Sequence, residues 1–261
     1  MGHCARVNDT CGRCDTPLPF DFTMAFQPIV DVAHNRITTH EALVRGPAGE
    51  SAFSIISQVT QDLMYRFDQS CRVKAIQLAS RLGMQERLSI NFLPNAVYAP
   101  EACIQATLEI SKQVGWPAER IVFEITETEL VEDRAHLSNI IDSYRSMGFM
   151  TALDDFGNGY ANLDLLTDLH PDFLKIDREL VQDCDHDKRR QSLLNAIIAL
   201  SIDLGIQLIA EGVETQAEAC WLASQGIVRQ QGYFYAKPSL ASLAPHPHSQ
   251  LCTVREAIGL S

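Results

Sequence analysis

No stretch of the chain reaches the run of about 18 apolar residues that a helix needs to cross a bilayer, so no membrane span is predicted. The N-terminal segment MGHCARVNDTCGRCD lacks the apolar core of a secretory signal, which makes the cytoplasm the expected compartment. Basic residues are in short supply. The chain has 21 Lys and Arg against 33 Asp and Glu, a formal net charge of -12. A DNA or RNA binder needs a basic face, so general nucleic-acid binding is excluded. The surplus of acid serves solubility, and a small phosphorylated substrate remains open if cations mediate the contact. No linker, low-complexity segment or shift in composition marks a second domain. What remains is 261 residues, 46% hydrophobic and 21% charged, enough to bury the core of one domain.

The eight cysteines divide unevenly. Cys71, Cys103, Cys184, Cys220 and Cys252 are scattered and read as small apolar groups of the interior. Cys4, Cys11 and Cys14 cluster near the N-terminus, where CGRC supplies a C-x-x-C pair and His3 is the adjacent extra ligand. A zinc site there competes with a reduced, loosely ordered tail, which is the expected case. Residues 1–19 are accordingly set apart from a domain spanning 20–261.

Beyond that tail, short β-branched runs alternate with amphipathic ones. Strands are predicted over 23–30, 37–44, 88–93, 121–126, 149–154, 173–176, 206–210 and 227–234. Helical patterns cover 53–82 (broken once), 101–114, 133–147, 188–204 and 215–224. Pro100 opens one helix, while Gly83, Gly115, Gly148, Gly205 and Gly226 close others. A capping helix and loop are expected after Pro238. This order predicts an α/β fold, a modified (β/α)8 TIM-like barrel. Only DVAHN separates the first two strands, too short for a parallel crossover, so one strand should be antiparallel.

Several apolar runs end in an acid or an amide: Glu41 in HEALVRG, Asn91 in LSINFLP, Glu124 in IVFEITE, Asp154 and Asp155 in MTALDDFG, and Glu211 in IQLIAEGVE. Lys175 in FLKID and Gln231 in VRQQGYF belong to the same series. A carboxylate on an apolar strand is costly to desolvate, and in a barrel the strand ends converge at one rim. Five acids against one lysine leave four negative charges, which two divalent cations would balance. Oxygen donors without histidine favour Mg²⁺ or Mn²⁺ over zinc. Paired ions about 3.5–4 Å apart are a recurring solution for phosphodiester cleavage. In a regular strand Asp154 and Asp155 would point to opposite faces, so both reach the ions only where the strand enters the turn FGNGY.

EALVR, INFLP, FEITETE, DDFGNGY, PDFLKID, AEGVET and QGYFYAKP together resemble the successive motifs of the EAL-domain cyclic di-GMP phosphodiesterases, across about residues 20–238. The resemblance implies a modified barrel with one antiparallel strand and cleavage of cyclic di-GMP to linear pGpG with Mg²⁺ or Mn²⁺. By motif, Glu41, Asn91, Glu124 and Asp154 resemble the ligands of one ion, and Asp154, Asp155 and Glu211 those of the second. Lys175 resembles the group that orients and activates the attacking water. Arg45 resembles a substrate-phosphate contact, Leu43 a substrate neighbour, and Gln231 a group in the substrate and water network. Glu127 and Glu214 resemble supporting residues, of the loop after DDFG and near the lysine respectively. The resemblance also implies a homodimer through the loop and helix after Asp155. Asn158, Ala161 and Asn162 stand where the family often has small hydroxyl residues, and Gly46 where it often has an aromatic. A non-catalytic cyclic di-GMP receptor and a protein-interaction module are the alternatives.

Overall fold

The structure is a computed structural model that describes residues 6–7, 10–11, 17–97, 99–126, 134–158 and 163–260. Strands β1 (Arg6–Val7) and β2 (Thr10–Cys11) form a small antiparallel pair. Cys4 and Cys14 lie outside the described residues, and among those described nothing supports a zinc site at this cluster. The remaining elements are β3 (Thr23–Asp31), β4 (Arg36–Arg45), α1 (Ala52–Ile56), α2 (Met64–Arg81), β5 (Arg87–Asn91), α3 (Pro100–Cys103), α4 (Gln105–Val114), β6 (Ile121–Thr126), α5 (Arg134–Ser146), β7 (Met150–Phe156) and α6 (Leu163–Leu169). They continue with β8 (Phe173–Ile176), α7 (Arg178–Val181), α8 (Lys188–Leu204), β9 (Gln207–Ala210), α9 (Gln216–Ser224), β10 (Arg229–Gln230), β11 (Ser239–Leu240) and α10 (His248–Ala257). Among the described residues no helix is long and apolar enough to cross a membrane.

Strands β4 to β10 run parallel in sequence order. Strand β3 is antiparallel to β4 and also to β10, through Arg229↔Asp31 and Gln230↔Val30, which closes an eight-stranded barrel. The short β11 extends the sheet along β3. The antiparallel hairpin is the departure from an ideal barrel that the short 32–35 connection dictates. Local chemistry fixes the helix ends. Asp187 caps α8 and Gly205 ends it in the left-handed region at φ 70°, while Thr215 and Glu218 form a reciprocal capping box on α9.

Several elements differ from expectation. The strand predicted over 227–234 pairs only at Arg229–Gln230, because the chain then meets the backbone of Val213. A Cβ on Gly232 would sit 2.0 Å from the Val213 carbonyl oxygen, so the two backbones touch where strand geometry would hold them apart. Helices α6 and α7 were not anticipated, being seven and four residues long, too short to show a period.

The barrel interior is layered. Ile29, Val122, Ala152, Phe173 and Ile209 form one buried apolar cluster, one residue from each of five strands. Because strand side chains alternate, the residue two positions along faces the same way. Two positions from these five lie Gln27, Glu124, Asp154, Lys175 and Glu211. An apolar floor therefore carries a polar layer, and the helices pack their apolar faces against the outside of the same strands.

Candidate active site

The polar layer is organised around one ammonium. Lys175 Nζ lies 2.7 Å from Glu211 Oε1, 2.9 Å from Glu124 Oε2, 2.9 Å from Asp154 Oδ1 and 3.6 Å from Glu41 Oε2. Its side chain is only 1% exposed. Burial alone would push this lysine toward the neutral amine. The surrounding carboxylates, Asp154 and Glu124 foremost, overcome that and hold it protonated. Residues from β4, β6, β7 and β8, together with the residue following β9, thus meet at one point, as convergence at a barrel rim requires.

Glu124 and Glu41 have second anchors, and a local strain places Asp155. Glu124 accepts a 2.5 Å hydrogen bond from Ser89 Oγ on the neighbouring strand β5, so both its oxygens are engaged. Glu41 accepts from Gln231 Nε2 at 2.7 Å and from Asn91 Nδ2 at 3.2 Å. Gln231 also donates to Gln27 Oε1 at 3.3 Å, and Gln27 donates to the Ala236 carbonyl at 3.0 Å. Asp154 and Asp155 face one cavity despite being consecutive. The β7–β8 ladder shifts register between Leu153 and Phe156, and Asp155 takes φ 57°, a left-handed conformation rare outside glycine. This bulge rotates the second aspartate toward the first, and it is local strain stored at the site.

Three of the acids, Glu124, Asp155 and Glu211, are held against their own ionisation. Burial raises Glu124 and Glu211 well above the usual carboxylate range, the Lys175 ammonium offsetting only part of it. Burial, with Asp154 and then Asp177 adding repulsion, raises Asp155 to about 6. Such a cluster suits cations. Oxygens of Glu41, Glu124 and Asp154 lie within 4.8 Å of one another, and so do those of Asp154, Asp155 and Glu211. Two triads sharing Asp154 fit a pair of hard divalent ions, with the Asn91 amide beside the first.

Glu41, Asp154, Asp155, Lys175, Glu211 and Gln231 line a cavity of about 290 Å³ with Gln27, Asp177, Arg178, Gly212, Glu214, Gly232 and Tyr233. Glu214 is brought to this cavity, but its carboxylate pairs with Arg178 Nη2 at 3.0 Å and not with the lysine. Leu43 and Arg45 share the face of β4 that carries Glu41, further along the strand, and neither lines the cavity. Arg45 donates to the Val44 carbonyl at 2.7 Å. Asn91 is exposed at the end of β5. Gly46, the residue after Arg45, sits in a turn where a Cβ would meet the Glu50 side chain, so an aromatic there would displace Glu50. Glu127, Ala161 and Asn162 lie outside the described residues. Sequence reading missed Ser89, Gln27, Asp177, Arg178 and Tyr233. Ser89 lies two positions before Asn91 and Gln27 two before Ile29, so alternation could have found both. Nothing local marks Tyr233.

Comparison with known proteins agrees with this architecture. Among solved structures, a standalone versatile EAL protein from Vibrio cholerae O395, in a c-di-GMP bound form, matches with a TM-score of 0.85 at 52% identity, covering 87% of this chain and 96% of that one. The Klebsiella pneumoniae BlrP1 manganese/cy-diGMP complex matches with a TM-score of 0.80 at 34% identity, covering 88% of this chain and 59% of that one. The blue light- and temperature-regulated antirepressor BluF of Escherichia coli K12 is 33% identical over 217 residues, 83% of this chain and 54% of BluF. The probable cyclic di-GMP phosphodiesterase PdeG of the same strain is 30% identical over 226 residues, 82% of this chain and 44% of PdeG. The chain thus spans about half the length of these curated relatives. The EAL domain profile matches residues 20–238, and with that match over most of its length the chain belongs to the EAL domain family.

Proposed function

We propose that this protein is a metal-dependent phosphodiesterase that hydrolyses cyclic di-GMP to linear pGpG. The observation that carries the reading is the pair of carboxylate triads sharing Asp154 around the buried Lys175 ammonium. Relatives named as cyclic di-GMP phosphodiesterases and a family member holding manganese with the dinucleotide support it. Two Mg²⁺ or Mn²⁺ ions, when bound, would supply Lewis-acid chemistry and offset the charge of a phosphodiester among acids. Glu41, Asn91, Glu124 and Asp154 would hold one ion, and Asp154, Asp155 and Glu211 the other.

The chain's own groups divide the remaining work. Hydrolysis adds water across one P–O bond, leaving a phosphomonoester on one ribose and a free hydroxyl on the other. Lys175 stays protonated at Nζ, so it donates to the attacking water oxygen and stabilises negative charge there. Ser89 and Gln231 hold Glu124 and Glu41 in register. Arg45, on the face of β4 that carries Glu41, would turn its guanidinium from the Val44 carbonyl to a substrate phosphate, with Leu43 beside the substrate. Glu127 and Glu214 support the loop after Asp155 and the mouth. The loop and helix α6 after Asp155 form a homodimer contact, and the enzyme works in the cytoplasm, where its nucleotide substrate is found.

The test is incubation of the purified chain with cyclic di-GMP, with and without Mg²⁺ or Mn²⁺, and chromatography of the product. Cation-dependent appearance of linear pGpG is expected. The similarity to an antirepressor makes binding without turnover the informative opposite outcome: it would replace the enzyme with a receptor.

A further inference from the structure

The end of the barrel opposite the carboxylate rim carries the reverse charge. Strands β4, β5 and β10 each begin there with an arginine: Arg36, Arg87 and Arg229. With β3 between β10 and β4, these strands are neighbours around the ring. Cross-strand partners share a face, and the pairings turn all three arginines inward. Arg229 pairs with Ile209 of the apolar floor and with Asp31, which lies two residues from Ile29 of the same floor. Arg87 pairs with Thr39, itself opposite Ile29. Arg36 pairs with Asp31, and only through a bulge. Five positions from Glu41, it would point outward on a regular strand. The register shift beside Ile29 and Val30, where Thr38 donates to the Ile29 carbonyl at 3.2 Å, turns it in.

These three guanidinium groups are uncommitted. Among the described residues none of them donates a hydrogen bond or makes an ion pair. Arg120 and Arg255, at the same end, are spent on backbone carbonyls, those of Met84 and Glu86 and those of Val32 and Ala33. Asp31 is 1% exposed and is occupied by His34, which donates its backbone N–H to Oδ1 at 3.2 Å and places Nδ1 2.8 Å from Oδ2. Glu86 is turned to His40 at 3.7 Å, on the outward face of β4. The arginines feel one another. Burial lowers the Arg229 guanidinium from its ordinary value, Asp31 offsets part of this, and Arg87 and Arg36 add to it. Three cations against the one Asp31 carboxylate leave two positive charges in excess, in a chain whose formal net charge is -12. Like charges on one inward face repel, and the barrel's packing does not require them there.

We propose that the base of the barrel is an anion site, in which Arg36, Arg87 and Arg229 bind a phosphate dianion, free or as the terminal group of a small phosphomonoester. A tetrahedral phosphate offers oxygens to three guanidinium forks at once, and its two charges match the excess. The apolar floor separates this site from the carboxylate rim. The assignment is therefore independent of the catalytic reading.

The test is calorimetric titration of the metal-stripped full chain with inorganic phosphate and with ribose 5-phosphate, at constant ionic strength. Stripping matters because the bare carboxylate rim repels anions, so binding reports the base alone. One phosphate per chain is expected, with a rise in Tm that chloride at equal ionic strength does not give. Equal or weaker affinity for ribose 5-phosphate assigns the site to the free ion, and tighter binding assigns it to a phosphomonoester. Arg87→Ala and Arg229→Ala should each weaken phosphate by about tenfold, the loss of one charge-assisted contact. Should either fail to melt cooperatively, Arg36→Glu, at an exposed position, carries the test and should weaken phosphate further than an alanine change. Mn²⁺ binding should match the unaltered protein in all three variants, since none of them touches the rim. No saturable binding at millimolar phosphate, or an unchanged phosphate affinity in Arg36→Glu, would overturn the site.

Discussion

Glu41 shows what a single residue contributes. It sits mid-strand on β4, accepts from Gln231 and Asn91, and faces Lys175 at 3.6 Å, the longest of the lysine's four contacts. It is therefore held by amides more than by the ammonium, leaving its charge available to a cation. Glu41→Ala should reduce turnover of cyclic di-GMP beyond the roughly hundredfold that loss of a supporting group costs. Substantial Mg²⁺-dependent activity in that variant would remove Glu41 from the ligand set. Titration gives a second test at this scale. Asp155 ionises at about 6 in the ion-free fold, against about 3.9 in an unfolded chain. A carboxyl raised by folding costs stability as pH climbs from the unfolded value through the folded one, because unfolding frees it to ionise. Glu124 and Glu211 are raised as well and act with the same sign. Cations bound to the folded site remove this cost, so Mn²⁺ should raise Tm more at about pH 7.5 than at about pH 5. An equal shift at both pH values, read by thermal melts, would contradict the assignment.

Strand β7 is the element that decides whether the second triad exists. A regular strand would send Asp155 out of the barrel, and only the register shift beside Leu153, with φ 57° at Asp155, brings it back. Asparagine tolerates the left-handed region as aspartate does, so Asp155→Asn should leave the ion-free Tm unchanged or raised. The same variant should lose the second cation and with it turnover. A large fall in ion-free stability would mean that the carboxylate anchors the bulge, and not the reverse. The sequence made much of this legible. MTALDDFG reads as a strand running into a turn, and seven of the eight barrel strands have both ends within two residues of where the sequence pattern puts them. The bulge itself left no trace beyond the consecutive aspartates. The last strand is shorter than expected because Ile227 to Phe234 has strand composition, while the Gly232–Val213 backbone approach that ends it is a tertiary fact.

At the scale of the whole molecule, the barrel converts a one-dimensional pattern into a site. Gln27, Glu124, Asp154, Lys175 and Glu211 meet because each lies two residues above an apolar floor on its own strand. Glu41 and Gln231, 190 positions apart in sequence, join them through a hydrogen bond. That is why the carboxylates could be named from sequence: the cost of a charge on an apolar run marks them one by one, and closure gathers them. Arg178 and Tyr233 escaped the same reasoning because they sit on the segments after the strands, where neither alternation nor burial labels a residue. The central claim is that these acids tolerate one another because they hold two divalent ions. The most direct measurement is the Mn²⁺ stoichiometry of the purified chain by calorimetric titration. Two ions per chain, reduced when the shared Asp154 is replaced by alanine, are predicted. Absence of specific Mn²⁺ binding, or a stoichiometry unaffected by Asp154→Ala, would contradict it.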